Sequence, residues 1–160
     1  MKLAKVFKEN KQFTLFSILA LVVVGVAVFA PQIAPYDPLD AVMLESLQAP
    51  SSAHPFGTDK LGRDLLSRVI FGTRTSLVMT LCLVAVIFVI GTFLGVIAGY
   101  FGGIIDSVIM RIADMMISFP GLVLAIAIAG MLGPNLVNAV ISIAAVSWTK
   151  YARLARSMVL

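Results

Sequence analysis

Three long stretches of this chain carry no charged side chain, and they limit its fold more than any other feature. Phe13 to Ala30 is 18 residues without Asp, Glu, Lys or Arg, Thr75 to Ile105 is 31, and Met115 to Thr149 is 35. An apolar helix crosses the hydrocarbon core of a bilayer in roughly 17–25 residues. Lipid accepts only structures that satisfy their own backbone polar groups. The expected fold class is therefore an all-α integral membrane protein. Composition agrees: of 160 residues, 60% are hydrophobic and 12% charged, against roughly 45–50% and about 25% in soluble domains. A water-soluble enzyme of this size cannot hide so much apolar surface, and disorder requires the opposite composition.

Residues 1–12 hold Lys2, Lys5, Lys8 and Lys11 against Glu9 alone. The first membrane helix is expected over 13–30. A cleaved signal peptide has a shorter apolar core, about 7–15 residues, and a small-residue cleavage site; no A-x-A site precedes Pro31. Residues 31–74 are a polar connection, interrupted by Pro31, Pro35, Pro38, Pro50 and Pro55. Within it an amphipathic helix is expected over about 59–70, capped by Thr58 or Asp59. Leu61, Leu65, Leu66, Val69 and Ile70 fall on one half of its wheel, and Lys60, Arg63, Asp64, Ser67 and Arg68 on the other.

The second membrane helix is expected over about 77–98. Gly91, Gly95 and Gly99 recur every four residues along it, a spacing that lets helix backbones approach closely in lipid. The 35-residue run is too long for one crossing, and Gly133-Pro134-Asn135 divides it. A third helix over about 107–132 and a fourth over about 136–158 follow. Gly121, Ala125 and Ala129 form a second line of small residues. Pro120 lacks a backbone donor and is expected to kink the third helix near Met116, making it a candidate hinge. Asp106, Arg111 and Asp114 are candidate structural or coupling charges, with Arg111 and Asp114 spaced to pair on one helix face. Trp148, Lys150, Tyr151, Arg153 and Arg156 mark a membrane–water boundary. Placing the N-terminus in the cytoplasm puts eight Lys and Arg inside and four outside, the favoured sense.

Catalytic chemistry finds no support. Gly57 to Asp64 has the glycine spacing of a phosphate loop but lacks its Lys and Ser/Thr, and no strand precedes it. The single histidine, His54, lies among prolines with no evident partner for a metal or a catalytic triad. The single cysteine, Cys82, reads as a small apolar residue in a helix. No catalytic, cofactor-binding or metal residue is assigned.

Several motifs nevertheless occur in order. The run from His54 to Arg68, HPFGTDKLGRDLLSR, is followed by Gly72-Thr-Arg-Thr-Ser-Leu77. Then come Gly99-Tyr-Phe-Gly-Gly103, Asp106, Met110-Arg111, Ala113-Asp114 and Phe119-Pro120, with Pro35-Tyr36-Asp37-Pro38 upstream. Together they resemble the permease subunits of bacterial peptide and nickel ABC importers. The resemblance implies a type I ABC importer transmembrane domain, of which about four of six helices are present. It implies a multi-pass protein of the bacterial inner (plasma) membrane that forms half of a translocation pathway working by alternating access. The implied partners are a second homologous permease subunit, two cytoplasmic ABC ATPase subunits and an extracytoplasmic substrate-binding protein, with ATP and Mg held by the ATPases and no cofactor in this chain. In that family a Glu-Ala-Ala loop follows the fourth helix and docks on the ATPase. The sequence ends at Leu160, where that loop is due, so an N-terminal fragment is expected. A non-transporting membrane scaffold or assembly protein accounts equally for the hydrophobicity and the small-residue faces, but not for the ordered motifs. A channel would need no ATPase.

Overall fold

The computed structural model describes residues 10–160, and the basic start of the chain lies outside these residues up to position 9. The described chain is helical, with no strand and one isolated β-bridge. Helix α1 spans Lys11–Val28 and a short α2 spans Ala30–Ile33. Helix α3 spans Leu65–Phe101, α4 Gly103–Ser118, α5 Gly121–Leu132 and α6 Leu136–Val159. Two of these helices, α1 and α3, are long and apolar enough to cross a membrane, and the bent pair α4 and α5 makes a third if counted as one span. The fourth expected crossing, α6, does not meet that criterion. Asn138, Ser142, Ser147, Thr149, Lys150 and Arg153 dilute its apolar run.

The described residues divide into two compact units, one ending at Val78 and one starting at Met79. In the first, α1 exposes apolar side chains in every register, among them Leu15, Phe16, Leu21 and Val22, and buries only Ala27. A helix that is apolar all round is suited to lipid. It ends at Val28; Pro31 follows in the first turn of α2, where a missing amide is harmless.

The connection after α2 is a small ordered module held by polar contacts. The Tyr36 amide donates to Ser67 Oγ at 3.1 Å. The amides of Leu47 and Thr58 donate to the carbonyls of Asp59 and Gln48. Ser46 Oγ donates to the Lys60 carbonyl at 2.9 Å, and Thr58 Oγ1 to the Glu45 carbonyl. Gly62, at φ +75°, lies so close to Val42 that a β-carbon there would overlap its carbonyl group. Only glycine fits such a contact at such an angle.

The amphipathic helix expected over 59–70 is not a separate element. Residues 58–64 form a closed turn, bridged between Thr58 and Asp64, and the helix starts at Leu65 and runs unbroken for 37 residues. Asp59 does not cap a helix. Its Oδ1 accepts the amides of Leu61 and Arg63, and its Oδ2 pairs with the guanidinium groups of Arg63 and Arg68. Those bonds bend the chain into a turn, and the Arg63 side chain depresses the Asp59 carboxyl to about 2. Asp64 is the cap: its Oδ2 accepts the Ser67 amide at 2.7 Å.

In the second unit α6 is the central element, with α4 and α5 packed against it. Its buried positions are Ser142, Ala144, Val146, Thr149 and Ala152. This core is made of small side chains, the arrangement that allows close helix approach where lipid removes any hydrophobic drive to associate. Ser142 and Thr149 satisfy their hydroxyls on carbonyls of their own helix, Asn138 and Val146. Asn135 caps α6 by accepting the Val137 amide at 2.9 Å, and Asn138 Nδ2 donates to the Leu132 carbonyl at the end of α5. The break expected at 133–135 thus has a chemical cause at each end.

Candidate functional site

The candidate residues of the second unit converge on α6. Along α3, Gly91, Gly95 and Gly99 all face it. A methyl group at Gly91 would stand 2.6 Å from both the Trp148 carbonyl oxygen and Tyr151 Cβ. One at Gly95 would overlap the Ala152 carbonyl and lie 2.8 Å from Ala155 Cβ, and one at Gly99 would lie 2.8 Å from Val159 Cβ. Phe88 meets Tyr151 edge to face at 6.2 Å beside this seam. The second line of small residues is less uniform. Gly121 has Val146 Cγ1 at 3.4 Å from the position of a β-carbon, Ala125 is buried, and Ala129 is half-buried.

Pro120 does more than the expected kink at Met116. Helix α4 continues to Ser118, Phe119 is extended at φ −94° and ψ 147°, and α5 begins at Gly121 with its axis turned by 92°. The residue before a proline is driven out of the helical region by the ring, so the helix stops completely. Pro120 stands at the N-cap position of α5 instead of inside a continuous helix. An open groove of about 350 Å³ lies at this break, lined by Met116, Phe119 and Leu122 on one side and Val146, Ser147 and Lys150 on the other.

The three candidate charges are arranged differently from the sequence expectation. Asp114 pairs with Arg153 of α6, and Asp106 holds the Arg156 guanidinium through both carboxylate oxygens. Arg111 has no ion pair among the described residues, so the expected Arg111–Asp114 pair does not form. Its partner is taken by an arginine from another helix. Asp106 is the more enclosed of the two aspartates, with 17% of its side chain exposed against 63% for Asp114. The fork-to-fork contact fixes both angle and distance between α4 and α6. Exposed Asp114 contributes less, since solvent screens it. Arg153 and Arg156 were legible only as boundary residues. Two unneutralised aspartates on one helix and two arginines on another are the signal that would have paired them.

Among the described residues no group of three or more His, Cys, Asp or Glu side chains is placed to hold a metal ion. Asp106 and Asp114 of α4 pair with Arg156 and Arg153 of α6, and the groove beside them is largely apolar.

The sequence comparisons agree in kind. Residues 91–160 match the family of binding-protein-dependent transport system inner membrane components. Residues 2–50 match the N-terminal transmembrane domain of oligopeptide transport permease C. The dipeptide transport system permease protein of Haemophilus influenzae is 40% identical over 157 residues, covering 94% of this chain and 53% of that protein. The probable D,D-dipeptide transport system permease protein of Escherichia coli is 41% identical over 159 residues, covering 99% and 53%. The nickel transport system permease protein of Escherichia coli is 40% identical over 126 residues, covering 79% and 46%. The chain thus spans about half the length of the curated relatives it matches. Helices apolar enough to span a bilayer, two matching family segments and these relatives together make the chain similar, over nearly all of its length, to the inner-membrane permeases of ABC importers.

Proposed function

We propose that this chain contributes half of the translocation pathway in an ATP-driven importer of peptides or nickel, and that it works by alternating access. The observation that carries the reading is the break at Phe119–Pro120, with its groove, inside the segment that matches the permease family. A 92° interruption gives the span two arms that reorient about a short joint. The groove beside it changes shape when they do. The energy that separates the two states comes from outside the chain, because a conformational equilibrium shifts only through an interaction that differs between states. ATP and Mg on two cytoplasmic ATPase subunits supply that difference. A second homologous permease completes the pathway, and an extracytoplasmic binding protein delivers substrate. The N-terminus is then cytoplasmic and the module of residues 34–64 lies outside, in the bacterial inner membrane. Relatives named for dipeptide, glutathione and nickel transport support peptides or nickel as substrate classes.

The test is uptake by the full-length subunit assembled with its ATPases. Pro120→Ala restores a backbone donor and favours one continuous helix. Lower uptake at normal membrane insertion is the expected result, and unchanged uptake removes the joint from the mechanism. Copurification with an ATPase subunit separates a transporter from a non-transporting scaffold.

A further inference from the structure

The motif around His54 has no role in the pathway just described, yet it contains the most enclosed titratable group of the first unit. His54 is 6% exposed and Asp64 2%. His54 Nδ1 lies 3.0 Å from Asp64 Oδ1, and Nε2 lies 3.3 Å from Glu45 Oε2. The Tyr36 ring lies alongside, with centroids 4.9 Å apart. Both ring nitrogens therefore face carboxylate oxygens, which only accept hydrogen bonds when ionised. A neutral imidazole has one N–H and one lone pair, so one of the two contacts would set lone pair against lone pair. Only the imidazolium donates to both.

The two carboxylates are not equally free to respond. Asp64 is fixed, because its other oxygen caps α3 through the Ser67 amide. Turning it away would uncap the helix. The Glu45 side chain is 42% exposed and can swing into solvent. It belongs to the single 3₁₀ turn Met43–Glu45, which leads into Leu47 at φ +54°. A leucine in the left-handed region is strained and persists only where its surroundings hold it.

We propose that Glu45, His54 and Asp64 form a proton-operated latch: protonated His54 ties the 43–48 turn to the start of α3, and loss of that proton frees the turn while leaving the helix cap in place. The latch is a property of the module itself and holds whichever side of the membrane the module faces. The charged groups facing the ring are Asp64 from the helix cap and Glu45 from the turn. Asp59 pairs with Arg63 and Arg68 in a separate cluster that keeps one net positive charge. The hydrogen bond to Asp64 raises His54 above its ordinary 6.5, against an opposing push from burial, and Glu45 adds to the rise. A raised histidine stabilises the folded module fully below pH 6.5, and that stabilisation fades as pH climbs through the folded value. For Asp64 burial pushes upward, and the Ser67 amide and hydroxyl together with His54 outweigh it, leaving the carboxyl lowered. Its contribution is present above about pH 4 and is lost as pH falls through its folded value. The latch is closed between these limits.

This chain has one histidine, so a histidine isotope label reports on His54 alone. The experiment is an NMR titration of the intact chain in phosphatidylcholine nanodiscs from pH 5 to 9, paired with hydrogen exchange at residues 43–48. An inflection above 6.5 is expected. With the intrinsic pH dependence of exchange divided out, opening of 43–48 should rise through that inflection. The rise is about tenfold for each unit by which opening of the turn, with the Asp64 contact kept, lowers the ring's pKa. The Ser67 amide should stay protected throughout. Glu45→Gln, at an exposed side chain, offers a neutral group that can donate to the free lone pair, so it should flatten the rise without unfolding the module. An inflection at or below 6.5 would overturn the proposal, as would an equal pH dependence of 43–48 in Glu45→Gln.

Discussion

The contact between α3 and α6 predicts opposite outcomes for the same substitution at different glycines of one helix. Gly91→Ala would place a methyl group 2.6 Å from the Trp148 carbonyl oxygen and Tyr151 Cβ, where ordinary contact begins at 3.4 Å. A backbone carbonyl cannot rotate aside, so the two helices must separate by most of that difference. Overpacking of this kind costs about 1–3 kcal/mol, offset by the roughly 0.5–1 kcal/mol by which Ala suits a helix better than Gly. A net loss of up to about 2.5 kcal/mol follows. Gly95→Ala should cost at least as much, because it also meets a backbone carbonyl, that of Ala152. Gly99→Ala should cost less, because it first meets the Val159 side chain. Gly72 lies on the same helix with nothing within 4 Å. Gly72→Ala should therefore be neutral or stabilise by up to about 1 kcal/mol. The assay is unfolding by SDS in mixed micelles, followed by the fluorescence of the single tryptophan, Trp148, whose own carbonyl forms part of the seam. If Gly91→Ala and Gly72→Ala unfold at the same SDS fraction, the close approach is not what holds α3 against α6.

Four other substitutions test the remaining geometry. Gly62→Ala combines a left-handed φ with a β-carbon driven into the Val42 carbonyl, and should cost about 1–3 kcal/mol in the module; limited proteolysis between residues 34 and 64 would register it as faster cleavage. Asp106→Asn and Arg156→Gln should each loosen α4 against α6 and show strong coupling in a double-mutant cycle. Arg111→Gln, which breaks no ion pair among the described residues, should leave the same unfolding midpoint unchanged.

The helices were largely legible because each follows from a short-range cause. Long uncharged runs marked α1 and α3, and the Gly-Pro-Asn sequence marked the gap before α6. The start of α3 was misread for an equally local reason. Leu61, Leu65, Leu66, Val69 and Ile70 make a helical pattern, but Asp59 draws in two amides and two guanidinium groups, and that turn outcompetes the first helical turn. Pro120 was recognised as a disruption, yet the size of the bend depended on Phe119 becoming extended and on what α6 offers to pack against. Partnerships across the fold left the weakest trace. His54 finds Glu45 and Asp64 through a module closed by backbone bonds, and Asp106 and Asp114 find arginines 50 and 39 residues away. Nothing in local periodicity encodes those distances.

The interruption at Phe119–Pro120 also has a consequence for the solvent around it. Every helix end leaves carbonyls or amides without a partner in the next turn. Ser118 Oγ returns a hydrogen bond to the Met115 carbonyl at 2.7 Å, and the Leu124 amide reaches the Pro120 carbonyl at 3.1 Å. By helix geometry, the carbonyls that close α4 and the amides that open α5 still need partners. Hydrocarbon offers none, and each bare group there costs several kcal/mol. The break therefore cannot face lipid tails at membrane depth. That stretch of backbone must meet other polypeptide or water, so wherever the two arms part at membrane depth the surroundings are polar.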